Sequence, residues 1–400
     1  VPHFVITGAR VFDGEDLLGD VDVEVVEDTI ASVGGSRPAG AELIDGTGAT
    51  VLPGLIDAHT HTDEESLRQA LTFGVTTELD MVSIPERMNP LRRLAAESDD
   101  LADVRSSSIG LTPANGHPHQ VRTGEGDPPW PTASRADEVP AFVEDRIAEG
   151  ADYLKVLVED GHLFGFSLPR LAPELVAATA REAHARGKLV VAHAMTVETA
   201  EQVVDAGVDG LTHLFFDQPH SGELIEKIAA AGVFVIPTLS VITSITGEST
   251  GAELAKDPRV RAKLTPEWLD NLSGTIATSS HENLGYAFET LAALHRAGVD
   301  ILAGTDAAHL GAPGMAHGVS LHGELRLLVR AGWTPIEALR AVTSVPARRF
   351  GLADRGRIRP GLRADLTMVT GDPTVTIGDT LEVQRVWRGG APATLAPATL

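Results

Sequence analysis

Eight short apolar segments alternate with helical patterns between residues 53 and 354, and strand-like segments flank them at both chain ends. These two observations predict an α/β protein, a (β/α)8 TIM-type barrel carrying a small β-sandwich domain formed from both chain ends. A third agrees with them. Polar residues able to hold metals fall at the C-terminal ends of the apolar segments, the face where such barrels gather catalytic groups.

Residues 1–52 read as short strands at 4–6, 21–26 and 30–33, separated by turns such as Asp13-Gly14 and Asp45-Gly46-Thr47-Gly48. Barrel strands are expected at 54–59, 75–81, 104–111, 153–158, 189–194, 210–215, 233–239 and 300–304. Helical patterns lie between them, for example at 171–186, 197–206, 223–231 and 283–297. Gly150, Gly187, Gly207, Gly232 and Gly298 read as helix C-caps leading into the next strand. Segments 112–133 and 242–280 read as long connections, of the kind that often serve as binding loops or lids. The chain then returns to the β domain through 364–370 and 383–387. The expected domains are therefore 1–52 and 355–400, forming the β domain, and 53–354, forming the barrel.

At 400 residues the chain can hold a barrel of about 250 residues and a smaller domain. Its formal charge of −24 argues against nucleic acid and anionic membrane partners, leaving a small molecule as the expected substrate. No apolar run reaches the roughly 18 residues of a membrane span. The N-terminus, Val1-Pro2-His3-Phe4-Val5, shows no basic region followed by an apolar stretch, so a cytoplasmic location is the default. A homo-oligomer stays open. Without cysteine, any metal must be held by nitrogen and oxygen ligands.

Lys155 is one of five lysines and sits within the apolar segment Tyr153-Leu154-Lys155-Val156-Leu157-Val158. A buried ammonium costs several kcal/mol unless it is paired or neutralised. One reading pairs it with Asp152, Glu159 or Asp160. The other makes it a carbamate formed with carbon dioxide, an anion whose two oxygens can bridge metal ions. His59 and His61 are spaced so that both side chains point to one face of an extended strand. His193, His213 and Asp306 each follow an apolar run. Neutral imidazoles suit zinc, iron or nickel, and a buried carboxylate at Asp306 needs a cation or a proton. Each piece is a weak signal, but their conjunction on successive strands points to one site built on two metal ions.

With these residues in view, the chain resembles the amidohydrolase superfamily nearly end to end. The resemblance rests on Pro53-Gly54-Leu55-Ile56-Asp57-Ala58-His59-Thr60-His61, Tyr153-Leu154-Lys155-Val156, Val191-Ala192-His193-Ala194, Thr212-His213 and Ala303-Gly304-Thr305-Asp306. Gly361-Leu362-Arg363-Ala364-Asp365-Leu366 resembles the family's return to the small β domain. The nearest branch holds Xaa-Pro dipeptidase-like and imidazolonepropionase-like enzymes, through Asn115-Gly116-His117, His317-Gly318 and Glu324.

The resemblance implies two divalent ions, most simply zinc, bridged by carboxylated Lys155. His59, His61 and Asp306 would hold the first ion, and His193 with His213 the second. Asp306 would also shuttle a proton. His117, His317 and His322 are the candidate substrate contacts. Departures from the branch at Asn115, Met195 and 159–164 follow strands three, five and four, and are expected to line the mouth. The leading activity is hydrolysis of a C–N amide bond, in a dipeptide or N-acyl amino acid. Alternatives are a mononuclear ring deaminase or imidazolone-type hydrolase, an enzyme acting on esters, lactones, carbamates or phosphotriesters, and a non-catalytic relative.

Overall fold

The structure, a computed structural model, describes residues 2–121 and 129–395. Residues 122–128, inside the expected 112–133 connection, lie outside the described residues. The N-terminal strands are β1 (His3–Thr7), β2 (Arg10–Phe12), β3 (Leu17–Asp20), β4 (Val23–Val26), β5 (Thr29–Val33), β6 (Glu42–Asp45) and β7 (Ala49–Pro53). The central strands are β8 (Leu55–Thr60), β9 (Val75–Asp80), β10 (Asp103–Ser106), β11 (Leu154–Leu157), β12 (Val190–His193), β13 (Gly210–Thr212) and β14 (Phe234–Ile236). The last are β15 (Leu366–Thr370), β16 (Val383–Arg388) and β17 (Ala391–Pro392).

Strands from the two chain ends share one sheet, in the order β17-β16-β15-β7-β2-β3. Its seam is the antiparallel pair β15–β7, running from Leu366 opposite Pro53 to Thr370 opposite Ala49. A second sheet, β5-β4-β1-β6, is built from N-terminal strands alone. Val11, Val25, Ile30, Val51, Leu366 and Met368 share one apolar core with Trp387, whose ring stacks on Phe4 at 5.4 Å. Each such side chain contributes roughly 1.5–3 kcal/mol on burial, which suffices to hold two distant chain segments together.

The central strands are parallel, in the orders β10-β9-β8 and β11-β12-β13-β14. They are buried on both faces, as their continuous apolar runs require. Single parallel bridges, Leu111–Val156, Val235–Ile301 and Thr60–Ala307, continue the pairing between segments. The expected strand at 104–111 is regular only through Ser106, because Ser107 Oγ bonds the Met81 carbonyl at 2.6 Å and Ser108 turns to φ +56°. The expected strand at 300–304 reduces to the bridge at Ile301. There Leu302 N–H donates to Val235, whereas Ala303 N–H leaves the ladder for the Ala341 carbonyl at 2.8 Å.

Helices Pro173–His184, Val197–Asp205, Gly222–Ala231 and His281–Arg296 fall where their apolar spacing predicts. Gly150, Gly187, Gly207, Gly232 and Gly298 all take positive φ, and Gly232 is the C-cap itself. Segment 242–280 is not an open connection. It carries helices Thr250–Leu254, Pro258–Arg261 and Pro266–Ser273, capped by Ser249, Asp257 and Thr265. Leu254, Val260, Leu264, Trp268 and Leu272 from this segment pack on Phe73. No helix among the described residues is long and apolar enough to cross a membrane.

Candidate metal centre

His59 stands near the end of β8, and His61 follows two residues on. Both imidazoles reach one carboxylate oxygen, with His59 Nε2 at 3.2 Å and His61 Nε2 at 3.1 Å from Asp306 Oδ1. Gly304 makes this approach possible, since a Cβ there would lie 2.8 Å from His59 N and 2.6 Å from Ile236 Cγ2. Asp306 then turns to φ +62°, and His213, after β13, takes φ +71°. His213 Nδ1 lies 2.8 Å from Thr238 Oγ1, and Thr238 is itself left-handed at φ +48°. Such conformations cost non-glycine residues about 1–3 kcal/mol each and cluster at functional sites.

Lys155 is only 2% exposed, and burial pushes its amine down to about 7. Its Nζ donates to Thr212 Oγ1. Gly110 leaves room for the lysine stem, because a Cβ would sit 3.2 Å from Lys155 Cγ. The three acids that could neutralise it are engaged elsewhere. Asp152 takes Arg92 and the Ser106 N–H, Asp160 takes the His162 N–H, and Glu159 faces His193. No ion pair joins Lys155 to any of them among the described residues.

His193 Nε2 lies 3.0 Å from Glu159 Oε2, while Glu159 Oε1 accepts the Gly161 N–H at 2.6 Å. Burial works against ionisation of Glu159, but the His193 contact outweighs it and holds the carboxyl below its usual range. The His193 ring is 4.7 Å from that of His213 and stacks at 4.7 Å on His117. His59 and His213 are likewise 4.7 Å apart.

One ligand atom each from His59, His213 and Asp306 lies within 4.8 Å of the other two. Burial, with the Lys155 charge, lowers His59 to about 3, and burial lowers His213 well below the usual imidazole range. Both are therefore neutral, the ligand form. Burial opposes ionisation of Asp306, yet His59 and His61 hold its carboxyl well below the usual range. His59 Nδ1 is buried without a hydrogen-bond partner. Neutral imidazoles converging on an ionised carboxylate fit a divalent cation. The cluster takes its members from both ion sets expected from the sequence.

The structure does not bring two of the expected substrate contacts, His317 and His322, into the histidine–aspartate cluster. His322 is buried on helix Val319–Arg330, with Nδ1 2.9 Å from Thr380 Oγ1 and Nε2 2.9 Å from the Phe73 carbonyl. Both nitrogens are occupied, so none faces substrate. His317 is fully buried with Nδ1 2.9 Å from Glu78 Oε1, while its Nε2 has no hydrogen-bond partner among the described residues. His117 remains at the site through its stack on His193, with Nδ1 2.7 Å from Gln120 Nε2.

A cavity of about 410 Å³ opens beyond β11, β12 and β13, lined by Asp160, His162, Leu163, Thr196 and Asp217 among others. Asp160, His162 and Leu163 of the departing segment 159–164 line this cavity, whereas Met195 is packed in the apolar core. The contacts of Glu159 with His193, Thr212 with Lys155 and Thr238 with His213 were not anticipated from the sequence. The partners are 34, 57 and 25 residues apart, and only the position of Glu159, four residues after Lys155, hinted at a role.

The model of the amidohydrolase family matches residues 50–393. An uncharacterized protein of Mycobacterium tuberculosis is 26% identical over 358 residues, 84% of this chain and 82% of its own. Adenine deaminase 2 of Rhizobium etli is 28% identical over 379 residues, 91% of this chain and 53% of its own length. Among solved structures, an Xaa-Pro dipeptidase with methionine bound in its active site superposes with a TM-score of 0.78 at 21% identity, covering 98% of this chain and 99% of its own.

Proposed function

The chain belongs to the amidohydrolase family, and on that premise we propose that it is a binuclear hydrolase cleaving a C–N amide bond in a dipeptide or N-acyl amino acid. Family membership makes it a metal-dependent enzyme acting on small molecules. The binuclear site, its ligands and the substrate are our reading. So are a closed (β/α)8 barrel over 53–354 and a β domain from 1–52 and 355–400.

The observation that carries the binuclear reading is Lys155. It is buried, forms no ion pair among the described residues, and burial lowers its amine to about 7 although the charges of Asp306 and Asp80 act the other way. A neutral amine can add to carbon dioxide and release a proton, giving a carbamate. His59, His61 and Asp306 would hold one ion, His193 and His213 the other, and carboxylated Lys155 would serve both. Two such ions, when bound, would supply a nucleophile at neutral pH and polarise the scissile carbonyl. Asp306 takes a proton from the attacking water and returns it to the leaving amine. His117, stacked on His193 at the mouth, contacts the substrate. The cavity of about 410 Å³ gives room for a small molecule.

A second reading has its own support. The tightest donor cluster, His59, His213 and Asp306, is sufficient for one ion, and the Rhizobium relative is an adenine deaminase. Turnover across dipeptides, N-acyl amino acids, adenine, ring imides, lactones, esters, carbamates and phosphotriesters separates the two. The amide reading predicts fastest turnover among dipeptides or N-acyl amino acids. Turnover confined to adenine or ring substrates would overturn it.

A further inference from the structure

Sequence reasoning placed Glu159 as a possible counter-charge for Lys155, but the carboxylate faces a histidine on the next strand. Glu159 leaves β11 two residues past Leu157, and His193 ends β12. Leu157 and His193 are paired in the ladder, which sets the two side chains beside one another. Glu159 is 3% exposed and His193 5%, so their 3.0 Å contact is shielded from water. The carboxylate is held in turn by the Gly161 N–H on its other oxygen. Gly161 is left-handed at φ +81°, and a Cβ there would lie 2.5 Å from the Phe166 ring, so the turn that aims this N–H is built for glycine.

We propose that Glu159 is a positioning residue that fixes the tautomer of His193. A carboxylate oxygen can only accept, so His193 must carry its proton on Nε2. Nδ1 is then left bare as the ligand atom. An anionic partner also raises the basicity of a ligating imidazole. His213 is fixed through the opposite nitrogen, since Thr238 holds its Nδ1 and leaves Nε2 free. The two histidines expected to share an ion therefore present different nitrogens to it. This inference rests on the binuclear reading above, because His193 matters as a ligand only there.

The geometry makes an unusual demand of the isosteric variant. In Glu159→Gln the amide oxygen must stay with the Gly161 N–H, which places the amide NH2 against His193 Nε2. That NH2 can only donate, so the imidazole proton is driven to Nδ1, the atom meant for the ion. Glu159→Ala merely releases the ring. Glu159→Gln should therefore harm metal binding more than Glu159→Ala, the reverse of what a space-filling role predicts.

The test has two arms. Zinc titration against a competing chelator should show the weaker-held ion lost by about 10–100-fold in affinity in Glu159→Gln, less in Glu159→Ala, with the tighter ion little changed. In metal-free protein labelled with nitrogen-15, His193, assigned by its absence in His193→Asn, should carry its proton on Nε2 in the wild type and on Nδ1 in Glu159→Gln. A wild-type Nδ1 proton, or a Glu159→Gln protein that binds zinc as the wild type does, would overturn the proposal. Wild-type protein that binds a single zinc ion would instead remove the binuclear reading, and the tautomer measurement would still decide the role of Glu159.

Discussion

Lys155 Nζ donates to Thr212 Oγ1, and Thr212 in turn donates to the Ala192 carbonyl at 3.1 Å. The buried amine is thus tied to β13 and β12 by a neutral partner, and among the described residues no carboxylate pairs with it directly, although Asp306 and Asp80 favour its charged form from a distance. An amine lowered to about 7 is substantially neutral at physiological pH, the state that reacts with carbon dioxide.

Lys155→Met keeps the apolar stem and removes the amine. Replacing a buried ionisable group by an apolar one of similar volume is often neutral or stabilising, so the fold should survive. Nearly all activity and one of two ions should be lost, as measured by turnover and elemental analysis beside a thermal melt. A folded variant with wild-type turnover would rule out a carbamate.

Asp306→Asn separates proton transfer from shape. Asparagine tolerates the left-handed backbone at φ +62°, and its carbonyl can still meet a metal. Proton transfer has no substitute, and general acid–base help is worth about 10²–10⁴-fold. Turnover should fall at least about a hundredfold with only a modest loss of metal. Near-normal turnover would pass the shuttle role to another group, with His117 the next to replace.

His117 and His322 should behave as opposites. His117→Ala should change KM or substrate preference while leaving metal content intact, because His117 stacks on the His193 ring rather than joining the donor cluster. His322→Ala should lower stability by about 1–3 kcal/mol, the cost of leaving buried polar partners unpaired at Thr380 and Phe73. Its kinetics, per folded molecule, should match the wild type. Steady-state kinetics and urea melts on the pair check both expectations.

The contrast shows what the sequence could and could not reveal. His59, His61, Lys155, His193, His213 and Asp306 stood out as candidates because each interrupts or ends an apolar run, where an uncompensated polar group would be costly. Three of them, His59, His213 and Asp306, converge within metal-ligand reach. The strand–helix alternation was legible because the period of burial changes from element to element. The burial of His317 and His322 was not legible, because their partners at distant residues, Glu78 and Thr380, leave no local pattern. Segment 242–280 was misread for a similar reason. Its Pro, Gly, Ser and Thr content suggested a loop, but Ser249, Asp257 and Thr265 are caps of short helices.

Glu324 gives a pH test of the scaffold. It is buried and accepts the Leu239 and Ser240 N–H groups at 2.8 and 2.7 Å, yet burial pushes it up to about 7 from an ordinary 4.5. Because the folded value is raised, the folded protein keeps a proton that the unfolded chain releases between 4.5 and about 7. The stabilisation is full below 4.5 and is lost as pH rises through about 7. The stability difference between wild type and Glu324→Gln should shift against the wild type over that range in urea titrations. A difference independent of pH would remove this linkage.

Metal content tests the central claim most directly. Protein purified without chelator and supplied with zinc and bicarbonate should hold two zinc ions per chain by elemental analysis, and Lys155→Met should hold one. A single tightly held ion in the wild type under the same conditions would contradict the binuclear account and favour a mononuclear site at His59, His213 and Asp306.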